Sequence, residues 1–369
     1  MDKPLIAGAG PVGLAAALFL AGKGIEVRLI EQAAERAPTS RALAVNPRTL
    51  ELLEASGVTA KMLARGLKIE EARLHHGTQE LARISLADVG GKYPFMLALS
   101  QATSEALLAQ AFEARGGHIE RGTKLISCGQ HAGIDVTLAT PAGSEIGRPQ
   151  WLLAADGAHS CVRQSLHIDF KGSAFPEAWT LLDVPMDGEA VPQAAHIRFF
   201  DDGGFIFYIR VVEDIRREQP PFLWRIISNM ADPVPQLPDL KPAGPVVWSS
   251  SFHIAHRLAA TLNDGQVYLA GDAAHIHSPI GARGMNLGIE DAWVFAELAA
   301  RDRLNEYGHL RRHADGDVVR RIKTLTTLVR GHSPAVRLLR DALLPTVLHL
   351  PVRMQILRTL TGLDHDLRL

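Results

Sequence analysis

The sequence predicts an α/β protein in which a parallel sheet flanked by helices forms one domain, an antiparallel β-sheet forms a second domain, and helices form a tail. Three observations predict this fold class. A strand, a glycine-rich turn and a helix follow one another at the N-terminus. Short strand-like runs separated by turn residues fill the middle of the chain, and prolines divide a helical, arginine-rich stretch near the C-terminus. The 369 residues suffice for two domains with full cores.

The parallel sheet is predicted from residues 4–31, which have the pattern of a Rossmann-like βαβ unit. We expect a strand from Leu5 to Ala7, a helix from Pro11 to Lys23 and a second strand from Ile25 to Ile30. Residues 5–22 form an uncharged, mostly small and apolar run that could be mistaken for a signal peptide or a membrane span. The glycines and Pro11 make it a poor span and the βαβ unit explains every residue, so we expect no targeting segment.

The turn of this unit carries Gly8, Gly10 and Gly13 in the spacing G-x-G-x-x-G. Gly8 permits a tight turn, Gly10 leaves room for a pyrophosphate against the backbone, and Gly13 lets the helix pack closely on the sheet. The amides at the start of the helix would point at the phosphates. Glu31, 18 residues after Gly13, is placed to accept hydrogen bonds from a ribose hydroxyl. The segment predicts a dinucleotide site.

Charge and cysteine content exclude several other classes of protein. A net charge of −1 and a pI near 7.0 give no overall field that would attract nucleic acid. The 2 cysteines, Cys128 and Cys161, have no metal-ligand spacing and form no disulfide framework, so we expect no metal and a cytoplasmic location.

The domains are expected to be discontinuous, because strand-like runs interrupt the α/β pattern twice. We predict a nucleotide-binding domain from residues 1–67, 100–174 and 256–330, a substrate domain from residues 68–99 and 175–255, and a helical tail from residues 331–369.

Two later motifs also place acidic residues after buried strands. The strand Trp151 to Ala155 delivers Asp156 and Gly157 to its carboxyl end, which is where open α/β sheets bind ligands. Further on, Gly271 and Asp272 follow a second apolar strand, and a helix is predicted to begin near Gly284 or Met285.

Together with the glycine-rich turn, these motifs resemble the three fingerprints of class A flavoprotein monooxygenases, the family of para-hydroxybenzoate hydroxylase and the aromatic polyketide hydroxylases. The resemblance covers about residues 4–300, with all three motifs in the right order. It implies FAD as cofactor, NADPH or NADH as a transient reductant, and O2. The implied reaction hydroxylates a small phenolic or polyketide-like aromatic substrate through a C4a-hydroperoxyflavin.

The resemblance also implies which residues contact FAD. Glu31 would bind the adenosine ribose, Arg41 and Gln101 the pyrophosphate and ribityl chain, and Asp272 the ribityl hydroxyls. Pro279 would lie against the isoalloxazine, and the helix N-terminus supplied by residues 281–286 would lie beside its pyrimidine edge, where reduced flavin carries negative charge. The implied cofactor-binding residues are Gly8, Gly10, Pro11, Val12, Gly13, Glu31, Arg41, Gln101, Asp156, Gly157, Gly271, Asp272, Pro279, Gly281, Arg283, Gly284, Met285 and Asn286.

One position near the third motif leaves alternatives open. Arg283 stands where most relatives have glutamine, and its cation would act on reduced flavin, an acidic substrate or the nicotinamide, or else cap its own loop and face solvent. Ser160 and Arg163 would match polar positions that follow the second motif.

The substrate pocket lies in a part of the chain that matches no motif. Its wall is expected to include apolar residues of the second domain such as Phe199, Phe205, Phe207 and Trp224. No catalytic base is assigned. Tyr208, Arg210 and His75 are candidates from their position alone.

Several related functions compete with ring hydroxylation. A flavin-dependent halogenase is disfavoured, because neither its lysine nor its tryptophan-rich motif is found. A ubiquinone-precursor hydroxylase, an epoxidase and a Baeyer–Villiger oxygenase stay open, and a protein that binds FAD without turnover is disfavoured by the intact glycines and acids. We expect no nucleic-acid partner, no stable membrane insertion, and a monomer or homodimer.

Overall fold

A computed structural model describes residues 2–36, 43–130, 132–212, 219–331, 337, 352–367 and 369. The helices of these residues are α1 (Pro11–Ala21), α2 (Pro47–Leu53), α3 (Val58–Leu63), α4 (Gln101–Glu113), α5 (Cys161–Ser165), α6 (Gly284–Ala299), α7 (Tyr307–Arg330) and α8 (Val352–Thr361).

The strands alternate between two large sheets and two small ones. They are β1 (Leu5–Ala7), β2 (Arg28–Glu31), β3 (Ala44–Val45), β4 (Leu67–Ile69), β5 (Glu71–His76), β6 (Gln79–Ser85), β7 (Met96–Ala98), β8 (Ile119–Arg121), β9 (Lys124–Gln130), β10 (Ile134–Thr140), β11 (Gly143–Gly147), β12 (Leu152–Ala154), β13 (Phe170–Gly188), β14 (Ala194–Phe199), β15 (Phe205–Val211), β16 (Phe222–Ser228), β17 (Leu240–Pro242), β18 (Trp248–Ala259), β19 (Asn263–Asp264), β20 (Val267–Leu269) and β21 (His275–Ile276).

The parallel sheet has the strand order β19-β20-β12-β1-β2-β8. Strands β1, β2, β8, β12 and β20 pair in parallel, and the short β19 pairs antiparallel with β20. Helix α1 packs between α4 and α6 over this sheet. All strand residues of β1, β12 and β20 are buried, as expected of a sheet covered on both faces.

The predicted βαβ unit is therefore present, with shifted boundaries. Helix α1 ends at Ala21 and is followed by a turn in which Gly24 has φ +75°, and β2 begins only at Arg28. The chain needs these intervening residues to reverse direction from the helix back to the sheet.

The antiparallel sheet has the order β21-β18-β13-β16-β15-β14-β5-β6, with β17 added to β13. Strands β5 and β6 join it because β5 pairs in parallel with β14, far away in sequence. By contrast, β7 leaves this sheet and pairs with β3 and β4. The long strands β13 and β18 run across the boundaries expected at 174–175 and 255–256 and so connect the two halves of the molecule.

Alternation along these strands separates the two faces of the antiparallel sheet. One face faces the parallel sheet and helices α7 and α8. The other face is covered by the segment before β17, and there Tyr208, Trp224 and Ile226 pack together. These findings confirm the predicted fold class. Among the residues described above, no helix combines the length and apolar character needed to cross a membrane.

Candidate functional site

One cavity of about 1320 Å³ connects the carboxyl edge of the parallel sheet with the inner face of the antiparallel sheet. Its walls come from both halves of the molecule. From the parallel half they include Gly10, Val12, Gln101, Gly157 and Asp272, and from the antiparallel half they include apolar strand residues. A ligand bound along the first part would therefore have its end exposed to a second, apolar chamber.

The three glycines of the first turn have different surroundings. Gly8 has φ +101°, and a Cβ there would overlap the carbonyl oxygen of Ala155. A Cβ at Gly13 would overlap the carbonyl oxygen of Gly8. At Gly10 a Cβ would meet nothing within 4 Å, and this residue lines the cavity. Gly8 and Gly13 thus allow backbone segments to pack, whereas Gly10 leaves space for a ligand.

Helix α1 begins at the edge of this space. Gly10 is its N-cap residue and supplies no side-chain hydrogen bond, Pro11 occupies the first helical position, and the first turn contains no acidic residue. The amides at a helix N-terminus need acceptors, and they attract anions. This end of α1 can therefore receive a phosphate.

Two polar side chains lie at the neighbouring strand and helix. The Glu31 carboxylate, at the end of β2, accepts hydrogen bonds from the amides of Ala9 at 2.8 Å and Ala33 at 2.9 Å. Gln101 begins α4, lines the cavity and donates to Glu105 Oε1 at 2.7 Å. Arg41, which the resemblance paired with Gln101, lies outside the described residues.

The second motif closes another side of the cavity. The Asp156 Oδ2 atom accepts a hydrogen bond from the Val162 amide at 3.2 Å, and its buried Oδ1 atom has no partner among the described residues. Burial raises the pKa of this carboxyl. Gly157, at φ +83°, lines the cavity.

Arg163 joins the second motif to the third. Its guanidinium donates to the carbonyl oxygens of Ala158 at 2.8 Å and Ala273 at 2.9 Å, and it stacks on the Phe170 ring with 3.9 Å to the centroid. The Ser160 hydroxyl accepts from the Arg163 amide and caps α5. Both residues thus support the site, since these hydrogen bonds join segments of the chain to one another.

The third motif is anchored by a buried group of charges. Asp291 accepts a hydrogen bond from the Gly271 amide at 2.9 Å and one from His275 Nε2 at 2.8 Å. Arg311 donates to Asp291 at 2.6 Å and to Asp315 at 2.7 Å. His275, Asp291 and Asp315 are near enough to hold a metal ion, but the Arg311 guanidinium already bridges the two carboxylates. We therefore assign this cluster the role of fixing Gly271 and leaving Asp272 at the cavity.

The loop between β21 and α6 forms the wall next to Asp272. Pro279, Gly281, Gly284 and Met285 all line the cavity, and α6 begins there at Gly284. His277 lines it too, although the motifs did not single it out. Its Nδ1 donates to the Ser278 carbonyl at 2.9 Å, and burial lowers its pKa to about 3, so the ring is neutral.

Arg283, at the end of this loop, and Asn286, in the first turn of α6, do not line the cavity. Arg283 has no exposed surface, and its Nη2 lies 3.5 Å from a carboxylate oxygen of Glu290 and 3.5 Å from one of Asp364. The Asn286 side chain accepts from the Asn46 amide at 3.0 Å and donates to the Ala44 carbonyl at 2.9 Å. The expectation that Arg283 faces a ligand or solvent through its side chain is thus corrected, since it is buried behind the loop.

The second chamber has an apolar wall on each side. On the antiparallel sheet, Phe199, Phe205 and Phe207 face the cavity, as expected. The opposite side comes from α7 and α8, through Leu325, Leu328, Val329, Ile356, Leu357 and Leu360. Trp224 was wrongly expected in this wall. It is buried on the other face of the sheet, because it lies one residue out of phase with the cavity-facing positions of β16.

The catalytic candidates also lie away from this wall, and none of them lines the cavity. Tyr208 donates to Asp239 at 2.7 Å and stacks on His196, which stacks in turn on His75. Arg210 lies over the Phe222 ring, 3.7 Å from its centroid. Burial lowers the pKa of His75 to about 4 and raises that of Tyr208. We therefore withdraw all three as groups that touch the substrate.

Similarity to known proteins agrees with this geometry. The family described as FAD binding domain matches residues 3–321, which is most of the chain. The chain belongs to this family. The assignment confirms the predicted resemblance, and FAD is the cofactor that the family binds.

Named relatives extend the comparison. The chain is 31% identical over 388 residues to 6-methylpretetramide 4-monooxygenase of Streptomyces rimosus, with 97% of this chain and 66% of the relative covered. It is 28% identical to para-nitrophenol 4-monooxygenase of Pseudomonas sp. (strain WBC-3), with 93% and 91% covered. The crystal structure of p-nitrophenol 4-monooxygenase from Pseudomonas putida superposes with a TM-score of 0.86 at 23% identity, covering 99% of each chain, and so shows the same fold. The chain spans 60–66% of the length of several of the curated relatives it matches.

Proposed function

We propose that this protein is a FAD-dependent monooxygenase that uses NADH or NADPH and O2 to hydroxylate a small phenolic or polyketide-like aromatic compound. The observation that supports the proposal is one continuous cavity. In it, the space along the carboxyl edge of the parallel sheet opens directly into an apolar chamber. The relatives compared above are monooxygenases, and one of them is named for a nitrophenol and another for a pretetramide.

The residues at the first part of the cavity fit FAD. A Cβ-sized space lies over Gly10, the N-terminus of α1 has no side-chain acceptor, and the Asp272 carboxylate lines the cavity. These three features match an anionic pyrophosphate and hydroxyl groups. Glu31, at the end of β2, would hold the ribose. Gln101 and Asp272, which line the cavity, would hold the ribityl part, with Pro279 and Met285 next to the ring.

When bound, FAD supplies electron transfer from the nicotinamide and the activation of O2. The chain supplies binding, orientation and a dry environment. Phenylalanine, leucine and isoleucine side chains line both walls and would exclude water from the chamber. The N-terminus of α6 would stabilise negative charge on the reduced ring through its amides and dipole. The neutral His277 adds no positive charge to that wall.

The proposal is tested by assays on the purified protein. It should be yellow, contain about one FAD per chain and oxidise NADH or NADPH faster when a phenol is added. With ¹⁸O2 the product should gain one labelled oxygen on the ring. Flavin absorbance without stimulation by any phenol in a broad panel would point to a protein that binds FAD without turnover. Label in a lactone or an epoxide would point to the related oxygenases.

A further inference from the structure

The apolar chamber extends across most of the antiparallel sheet. Residues that line it come from seven neighbouring strands, in the order β18, β13, β16, β15, β14, β5 and β6. Neighbouring strands lie about 4.8 Å apart, so this part of the sheet spans about 29 Å. A single phenol ring would cover only a small part of such a wall, and the apolar residues that it left uncovered would face water. The wall therefore fits a larger apolar ligand.

Pairing between strands sorts the lining residues into rows that cross the sheet. The central row has large apolar side chains, each directly opposite the next in the register, namely Ile227, Phe207, Ile197 and Leu74. The next row lies two residues further along the strands and therefore on the same face. In this row Ala195 on β14 lies directly opposite Ala72 on β5, which in turn lies opposite Ile84 on β6. We call the position of the two alanines the Ala72–Ala195 notch.

The notch is open to the cavity. Ala72 and Ala195 lie within the sheet, but both are only half-buried and both line the cavity. Strands favour β-branched and aromatic residues over alanine, so the sheet itself does not require alanine at these positions. The two small side chains leave a hollow beside the larger residues of the central row. A hollow in the wall of an apolar cavity can receive part of a ligand.

We propose that the Ala72–Ala195 notch is a substrate subsite, which receives one ring of a fused multi-ring aromatic compound while another ring is hydroxylated. The floor of the notch is two strands wide, about 10 Å, which suits the flat face of a ring system better than a single alkyl chain. A rigid ring system also loses less conformational freedom on binding than a chain does. This inference rests on the proposed function and names the substrate class for it.

The test compares phenols that differ in size and shape. Phenol has one ring, 2-hydroxyanthracene has three fused rings, and 4-hexylphenol carries a flexible chain of similar reach. Their binding to the FAD-loaded, oxidised protein is measured from the change in the flavin spectrum, without reductant. The wild-type protein should bind 2-hydroxyanthracene at least about tenfold more tightly than phenol, because its additional rings are buried in the chamber.

Two variants fill the notch. Ala195→Leu and Ala72→Leu should each weaken the binding of 2-hydroxyanthracene at least about tenfold, because the added side chain occupies the space of a ring. The affinity for phenol should change less than about twofold, and that for 4-hexylphenol less than about threefold, because a flexible chain can bend around the leucine. If a leucine variant loses FAD, the corresponding valine variant replaces it and should weaken 2-hydroxyanthracene severalfold, since valine suits a strand.

Ala82→Leu provides the control. Ala82 is another half-buried alanine of the same sheet and lies opposite Leu74 on β6, but it does not line the cavity. The substitution adds the same volume near the notch without filling it, and should leave the affinities for all of these phenols unchanged.

The outcomes separate this inference from the proposed function. The subsite is overturned if the wild-type protein binds 2-hydroxyanthracene no more tightly than phenol, or if the preference survives in either filled variant. Equal losses for 2-hydroxyanthracene and 4-hexylphenol would assign the notch to a chain and overturn the fused-ring substrate. In each of these cases, oxidation of NADH or NADPH stimulated by a phenol leaves the proposed function standing. No binding of any of these phenols, together with no stimulated oxidation by a broad panel, overturns both.

Discussion

Glycines three residues apart in one motif are required for different physical reasons. Gly13 is needed by the fold, because it packs directly on the backbone of the turn at Gly8, which leaves no room for a side chain. Gly10 has an ordinary extended conformation with φ −70° and ψ −176°, and open space where a Cβ would lie. The protein alone would tolerate alanine at Gly10, and we propose that a bound dinucleotide is the reason for glycine there.

We therefore expect Gly10→Ala to change mainly the affinity for FAD and Gly13→Ala to change mainly the stability of the fold. Gly10→Ala should leave the unfolding free energy of the FAD-free protein within about 0.5 kcal/mol of the wild type, but raise the Kd for FAD at least about tenfold. Gly13→Ala should lower the unfolding free energy by roughly 1–3 kcal/mol, because the backbone must move. Urea unfolding and flavin fluorescence titration measure the two effects. Equal destabilisation by both variants would contradict this division.

At the buried charge cluster, one histidine makes stability depend on pH. Burial lowers the pKa of His275, but the carboxylates of Asp315 and Asp291 outweigh burial and raise it to about 9. With His275 protonated, two cations face Asp291 and Asp315, and burial together with the neighbouring Asp291 raises the pKa of the Asp315 carboxyl to about 7. A pKa that is higher in the folded state stabilises the fold at low pH and ceases to do so as the pH rises.

His275→Gln should accordingly lose roughly 3 kcal/mol of unfolding free energy below pH 6.5, where the stabilisation is complete. The difference from the wild type should shrink as the pH rises through about 9. Denaturant unfolding of both FAD-loaded proteins between about pH 6 and pH 10 measures it. A difference that stays constant over that range would show that His275 acts by packing alone.

At the scale of elements, alternation along strands decides which residues line the apolar chamber. Phe205 and Phe207 were predicted for the wall and do line it. The same alternation puts Tyr208 and Arg210 on the other face, so period-2 reasoning applied to β15 alone would have rejected both as candidates. The sequence also predicted both sheets and the helix that begins at Gly284, since each depends on local pattern and turn residues.

Other features of the site depend on contacts between distant segments, which no local pattern contains. Arg283 meets Asp364 far along the chain, and Asn286 reaches back to Asn46. Likewise, the C-terminal tail was predicted to form short helices, but its apolar face gave no sign that it would line the chamber. The Ala72–Ala195 notch was missed because its two alanines lie on strands that are far apart in sequence.

Helix α8 is expected to influence which substrates fit. Ile356 lines the chamber, whereas Gln355 on the same helix is exposed. Ile356→Ala should enlarge the chamber, lower KM for bulkier phenols severalfold, and raise KM for small ones by a similar factor, since part of their apolar contact is lost. Gln355→Ala should change neither value. Steady-state kinetics with phenols of graded size provide the measurement, and an unchanged size preference at Ile356→Ala would exclude α8 as a determinant.

In the molecule as a whole, the C-terminal segment contacts both the apolar chamber and the loop beside the third motif. Leu360 of α8 packs close to Gly281, where a Cβ would be 2.8 Å from its Cδ2 atom. Just beyond it, the Arg48 side chain donates to the carbonyl oxygens of Gly362 at 3.1 Å and His365 at 2.8 Å. The wall of the chamber and the loop beside the third motif thus share one support.

Asp364 is the centre of that support. It lies 3.5 Å from Arg283, 2.7 Å from Arg321 and 3.0 Å from His365, and Glu290 accepts from His365 at 2.8 Å. Burial alone would raise the pKa of Asp364, but the hydrogen bond from His365 and the Arg283 charge bring it down to about 2. The carboxylate is therefore ionised, and removing it would leave the buried Arg283 with Glu290 as its carboxylate neighbour.

A double-mutant cycle tests whether this contact holds the loop. Asp364→Asn and Arg283→Gln should each lower the unfolding free energy by about 3 kcal/mol, because each leaves a buried charge poorly paired. The double variant should lose at least about 1 kcal/mol less than the sum, since the two charges are removed together. Both single variants should also weaken FAD binding, because Gly281, Gly284 and Met285 border the cavity on the loop that Arg283 supports. The exposed pair Lys3–Glu26 provides the control, and its cycle should show no measurable coupling. Strictly additive losses at Arg283 and Asp364, with FAD affinity unchanged, would mean that the C-terminal segment packs on the loop without fixing its position.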